Sequence, residues 1–338
     1  MTFRQGSAFL AAMAAGLSIT GHAMAWGSSG HRLVTQAAIE SLPATLPAFM
    51  RTQRFAADAA EIARDPDRER KAGRALDSDW EPAHFVDVGD DGKIAGGPAI
   101  DALPMTREEF DTALRAVGSD SWKTGFLPYA IVDGWEKLAK DIAVWRADAA
   151  GEKLDASHQA WFKADRERRE GLILDDLGVW SHFVGDGSYP LHVTPHHDGW
   201  GKFPNPNGYT TERIHVRLEG PYVAKVVTLE AVKKHMAPFN DCKCYIEVRA
   251  GQYLATSQKQ VEPFYALEKD GGFKDGDARG VDYITGRVAF GAQTLRDMII
   301  EAWNASGRMG VGYPNAPPAA DFEAGKVADI YGLLHSND

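Results

Sequence analysis

Histidine is scarce in this chain, 11 residues in 338, and two of them flank a carboxylate in the stretch HFVGDGSYPLH at 182–192. His182 and Asp186 stand four residues apart, so on a helix they share a face, with Cβ atoms roughly 5–6 Å apart. One neutral imidazole nitrogen and one carboxylate oxygen so placed suit a single zinc, whose ligands sit at about 2.0–2.2 Å. Gly185 and Gly187 mark the end of that helix, and Pro190 fixes a turn that returns His192 toward the same cavity. His215 and Glu219 repeat the spacing 23 residues after His192, and Gly220-Pro221 puts this second pair at a helix end or a kink. A lone His–carboxylate pair is more often a surface ion pair. Two such pairs with a histidine held between them point to a metal centre.

The N-terminus offers another chelate. Arg4, the short apolar run AFLAAMAAGLSIT and Ala23-Met24-Ala25 fit a cleavable signal peptide over residues 1–25. The run is too short to span a bilayer, so the product is expected to be soluble and periplasmic or secreted. Cleavage would free the α-amine of Trp26. That amine and its own carbonyl oxygen can close a five-membered ring on a metal ion, with His31 completing the site.

Taken together, these residues resemble the superfamily of class I, single-strand-specific zinc nucleases and bacterial zinc phospholipases C. The shared pattern is an initial Trp, an early His, His-x-x-x-Asp-x-x-x-x-x-His and then His-x-x-x-Asp/Glu. Here those positions are Trp26, His31, His182, Asp186, His192, His215 and Glu219, and the resemblance covers about residues 26–305. It implies an all-helical fold with three zinc ions in one cleft. It also implies a His-Phe pair, met by His84-Phe85, and an Asp-x-x-Arg, met by Asp67 and Arg70 in IARDPDRER. Asp65 has an arginine at the same spacing, Arg68, and competes with Asp67 for that place. Carried over, one zinc takes Asp67, His84, His182 and Asp186, and a second takes His192, His215 and Glu219. The third takes Trp26 and His31, with Asp186 bridging.

The chemistry such a centre supports is hydrolysis of a phosphate ester by water activated between two zinc ions. Asp67 is the expected proton acceptor, and Arg70 the fork for a non-bridging oxygen. Two substrates compete. In the nuclease branch, which acts on single-stranded DNA, RNA or 3′-nucleotides, Phe85 stacks a base and Asp87 bonds its edge; the step from His192 to His215 is also nuclease-like. In the phospholipase C branch Glu219 is the usual acid, and the loop VTPHHDGWGKFPNPNGYT lacks the Gly-Gly-Asn common in nucleases. Trp200, Phe203 and Tyr209 suit bases or lipid tails alike, while His196 and His197 read as exposed loop residues. A metal-stabilised protein without turnover is the third reading; a zinc left open to water argues against it.

These residues need a scaffold, and the chain reads as helix after helix. Residues 30–42, 106–118, 155–186 and 280–303 carry helical apolar spacing, as does the segment from Pro128. Thr106 to Glu109 forms a capping box, and Val223 to Leu229 reads as helix. Loops gather at 86–105, 193–210 and 306–320, and residues 321–334 read as one closing helix. With neither an internal repeat nor βαβ alternation, the expectation is one all-α domain over residues 26–338, of which 306–338 lies beyond the resemblance. Cys242 and Cys244 are the only cysteines, and a bridge across one intervening residue looks geometrically awkward. The formal charge of −10 excludes a sequence-independent DNA coat, but not an enzyme whose bound cations supply the positive field.

Overall fold

The structure, a computed structural model, describes residues 26–335; the expected signal peptide, residues 1–25, lies outside them. The described residues are mostly helical and form no strand beyond isolated bridges such as Val88 with Ile94. α1 (Ser28–Glu40) and α2 (Gln53–Ile62) come first, the second capped by the Thr52 hydroxyl, which accepts from the Phe55 N–H. Two short helices follow, α3 (Asp65–Glu69) and α4 (Arg74–Trp80). α5 (Arg107–Ala116) begins with the expected capping box of Thr106 and Glu109. Asp120 caps the single turn α6 (Ser121–Thr124).

The frame is an antiparallel pair, α7 (Leu127–Leu154) and α8 (Gln159–Asp186), each of 28 residues. They bury Leu138, Ile142, Ile173, Leu177 and Trp180 in the main core. The Trp180 indole donates to the Ile131 carbonyl at 2.9 Å, so the ring is buried without losing its hydrogen bond. The chain then passes through α9 (His215–Arg217), α10 (Val223–Val226), α11 (Leu229–His235), α12 (Ile246–Gln258) and α13 (Val261–Lys269). α14 (Ala278–Ser306) packs against α1, α7 and α8, closing the main core. No helix among the described residues is long and apolar enough to cross a membrane.

Three expectations change. The helix expected through Val223–Leu229 breaks at Val227, which is extended (φ −100°, ψ 133°) because the Thr228 hydroxyl caps a new helix by accepting from the Ala231 N–H. The single closing helix is instead two short ones, α15 (Ala319–Glu323) and α16 (Ile330–His335), interrupted at Gly325, whose φ of +66° no helix accommodates. Phe322 and Ile330 bury against Ala143, Ala147 and Phe162, so this extension covers the α7–α8 pair with a second, smaller core. Cys242 and Cys244 do bridge: Lys243 takes a left-handed turn (φ 51°) that sets their Cα atoms 5.2 Å apart.

Candidate metal centre

Six segments end around one point. His31 comes from the first turn of α1, Asp67 from α3, and His84 from the 3-10 turn Glu81–His84. The last turn of α8 supplies His182 and Asp186, both fully buried, and the 3-10 turn Pro190–His192 supplies His192. His215 opens α9, and Glu219 lies in the wide π turn Leu218–Tyr222, which contains Pro221. That π turn is the physical form of the kink expected there: proline offers no N–H to an α-helical ladder.

Their ligand atoms form three groups, each within 4.8 Å: His31, Asp67 and His182; His84, His182 and Asp186; His192, His215 and Glu219. Asp186 joins two of the histidines, with one oxygen 3.5 Å from His31 Nε2 and the other 3.4 Å from His182 Nε2. His84 Nε2 lies 3.8 Å from Asp67 Oδ1. His215 Nε2 lies 2.8 Å from Glu219 Oε2, and His192 Nε2 lies 3.6 Å from the same oxygen. The two aspartates differ in their surroundings. Asp65 pairs with Arg68 in the open at 2.9 Å, whereas the Asp67 side chain is 6% exposed and turned to the histidines.

Four of these imidazoles are oriented by the main chain. Nδ1 of His84 meets the Trp80 carbonyl at 2.6 Å, and that of His182 the Ala63 carbonyl at 2.8 Å. Nδ1 of His192 meets the His84 carbonyl at 2.5 Å, and that of His215 the His197 carbonyl at 2.7 Å. A carbonyl only accepts, so each Nδ1 carries the proton and each Nε2 turns a lone pair inward, as a metal ligand must. Inside, His84 Nε2, His182 Nε2, Asp67 Oδ1 and both Asp186 oxygens have no hydrogen bond. Buried polar atoms without partners cost about 1–3 kcal/mol each. A shared metal cation would satisfy such a donor set of neutral nitrogens and carboxylate oxygens.

The electrostatics agree. Burial holds His182 down to about 3 and His215 to about 4, and pushes the Asp67 carboxyl up to about 7 against the opposing pull of Arg70. Asp186 is raised well above the usual carboxylate range by burial and by the Asp67 and Glu219 charges. The centre therefore resists positive histidines and negative carboxylates alike. A divalent ion reverses the second penalty while using the neutral imidazoles.

The remaining expected residues fall around this centre. Trp26 is fully buried, with its indole donating to Ser188 Oγ at 2.7 Å and its ring 4.6 Å from Tyr189. Its amine becomes a free ligand only on cleavage after Ala25, outside the described residues. Arg70 lies 3.5 Å from Asp67 and 3.6 Å from Glu81. With His84, Phe85, His192, His197 and His215, it lines a cavity of about 190 Å³ beside the metal ligands. Phe85 is held by Gly125, whose φ of +76° and close approach leave no room for a Cβ, which would lie 2.0 Å from the Phe85 carbonyl oxygen. Asp87 is not among the residues lining that cavity; burial alone raises its carboxyl to about 7.

Glu81 belongs to no motif, yet it lines the same cavity and pairs with Arg70. His197 is exposed as expected, but its carbonyl orients His215. His196 is not an exposed loop residue: it is 2% exposed and stacks on Trp200 at 3.9 Å. Trp200 and Tyr209 are buried against Tyr265, while Phe203 remains exposed. The signal for this buried loop core is its own aromatic density, which invites mutual packing as much as ligand contact. Comparison of the chain with protein-family models and with curated proteins finds no match.

Proposed function

We propose that this protein is a zinc-dependent phosphodiesterase that cuts single-stranded nucleic acid and removes phosphate from 3′-nucleotides. The observation that carries the reading is the set of inward, carbonyl-fixed Nε2 atoms set against three buried carboxylates, Asp67, Asp186 and Glu219. Asp67, His84, His182, Asp186, His192, His215 and Glu219 would hold zinc, joined by His31 and the Trp26 terminus after cleavage. Zinc bound there would supply Lewis acidity and lower the pKa of water.

The protein's own groups do the rest. Arg70, on the cavity wall, offers a planar fork to a non-bridging phosphoryl oxygen. Asp67, 3.5 Å from it, would take the proton of the attacking water. Phe85 presents a ring to a base at the cavity wall. The acidic chain meets a polyanion through the local field of its centre rather than through its net charge.

A phospholipase C is the second reading. It is favoured by Glu219 and by the place of Asp87, which does not line the cavity where a base edge would sit. Purified protein assayed with and without chelator on single-stranded DNA, 3′-AMP and phosphatidylcholine separates the two. Chelator-sensitive release from the nucleotides supports the first reading. Strong lipid turnover with no nucleotide turnover overturns it.

A further inference from the structure

The cavity beside the metal ligands shares the Glu81 wall with another. A second cavity, of about 830 Å³, adjoins it at the Arg70–Lys71 step, and Glu81 lines both. Lys71, Arg74 and Trp122 line the larger one. Trp122 is 60% exposed, although an indole commonly buries when a core is within reach. Its support is firm: the Ser121 N–H and hydroxyl both donate to Asp111 Oδ1, at 2.9 and 2.8 Å. The same segment is tied to the Phe85 loop. The Asp87 N–H donates to the Thr124 carbonyl at 2.7 Å, and the Leu127 N–H to the Phe85 carbonyl at 3.1 Å. Two aromatic faces, Phe85 at the metal side and Trp122 beyond it, are thus held on one braced pair of loops.

Lys71, Arg74, Asp77 and Glu81 are the charged groups of the larger cavity. The two carboxylates of the larger cavity are engaged: Asp77 Oδ1 accepts the Lys71 backbone N–H at 2.6 Å, and Glu81 pairs with Arg70. Arg74, which lines the same cavity, stands at an exposed position and forms no ion pair among the described residues. A stackable face flanked by cations and continuous with a phosphate-cutting centre is how proteins track single strands without reading sequence.

We propose that Trp122, Lys71 and Arg74 form a second subsite that binds the single strand beyond the cleaved phosphate, Trp122 by stacking a base and the two cations by holding backbone phosphates. The inference rests on the nuclease reading above and makes this enzyme one for polynucleotides rather than for mononucleotides alone.

The test is binding of the zinc-loaded protein to fluorescent, cleavage-resistant phosphorothioate oligothymidylates of graded length. Phosphatidylcholine vesicles serve as the lipid arm, and Tyr245→Ala, another exposed aromatic, as the control. Wild type should tighten as the strand lengthens. Trp122→Ala should weaken long strands about tenfold, with the loss shrinking as the strand shortens, and Trp122→Phe should recover part of it. Lys71→Ala with Arg74→Ala should flatten the salt dependence by about one contact for each cation removed. Unchanged affinity of Trp122→Ala for long strands overturns the subsite, as does loss of vesicle binding in a protein that binds no strand. Trp122-dependent strand binding by a protein that cuts no nucleic acid upholds the subsite and overturns the proposed reaction instead.

Discussion

His192 Nε2 and His215 Nε2 face each other across 3.1 Å, and each ring has its other nitrogen committed to a main-chain carbonyl. With Nδ1 protonated on both rings, two lone pairs meet at that distance. A proton between them would make an imidazolium, which burial opposes at both positions. A cation shared with Glu219 would turn the repulsion into coordination, and the same reasoning extends to His84 and His182 around Asp186.

Metal removal should therefore cost stability as well as activity. Chelation leaves the buried Asp186, His84 and His182 atoms without partners. A lowered thermal midpoint, restored by added zinc, is the expected calorimetric result, since ligands that bind only the folded chain stabilise it by mass action. An unchanged midpoint would show that the cluster is satisfied without metal.

Asp186 reaches both His31 and His182, whereas His192 belongs to one group. Asp186→Ala should lose two metal ions together, and His192→Ala should mainly loosen one, read as metal content after gel filtration. Loss of a single ion in both variants contradicts the bridging place of Asp186.

Asp67 and Asp65 separate cleanly by substitution. Asp67→Asn should lower the hydrolysis rate at least 100-fold, the scale of one positioned acid–base group. Asp65→Asn removes only an exposed pair with Arg68, worth about 0–1 kcal/mol, and should leave the rate near wild type. Equal rates in the two variants would move the role away from Asp67.

The scaffold has its own test in Trp180, which is 2% exposed and bonded to Ile131. Trp180→Ala should destabilise the chain by about 3–5 kcal/mol in denaturant unfolding, with the metal still bound under native conditions. A loss under 1 kcal/mol would mean that the α7–α8 interface does not carry the frame.

Away from the centre, Asp148 is fully buried on α7 and its carboxyl is pushed up to about 8, first by burial and then by the Asp165 carboxylate. Between the ordinary 3.8 and about 8 the folded chain holds a proton there that the unfolded chain has released. Stability from this group therefore falls as pH rises through that window and levels off above it. Asp148→Asn should flatten that part of the profile and raise the midpoint at the alkaline end, with zinc held constant. Parallel wild-type and variant profiles would refute the shift.

How far the sequence could be read follows from range. His182 with Asp186 and His215 with Glu219 were legible because a helical turn places i and i+4 together whatever surrounds them. The Thr106 capping box and the long apolar period of α7 were legible for the same local reason. Glu81 and Trp122 were not: the fold brings each to a cavity wall, and neither sits in a spaced pattern. The buried place of His196 was missed because stacking on Trp200 offsets the cost of burying an imidazole, a gain that no residue scale records. The break at Val227 turned on one threonine whose capping outweighs the apolar run before it.

The central claim is that these buried histidines and carboxylates hold metal. Elemental analysis of the purified protein, starting at Trp26 and dialysed against metal-free buffer, measures this directly. The account predicts three zinc ions per chain, falling in Asp186→Ala and His215→Ala. A folded wild-type protein that holds no divalent metal, and takes up none when zinc is supplied, would contradict it.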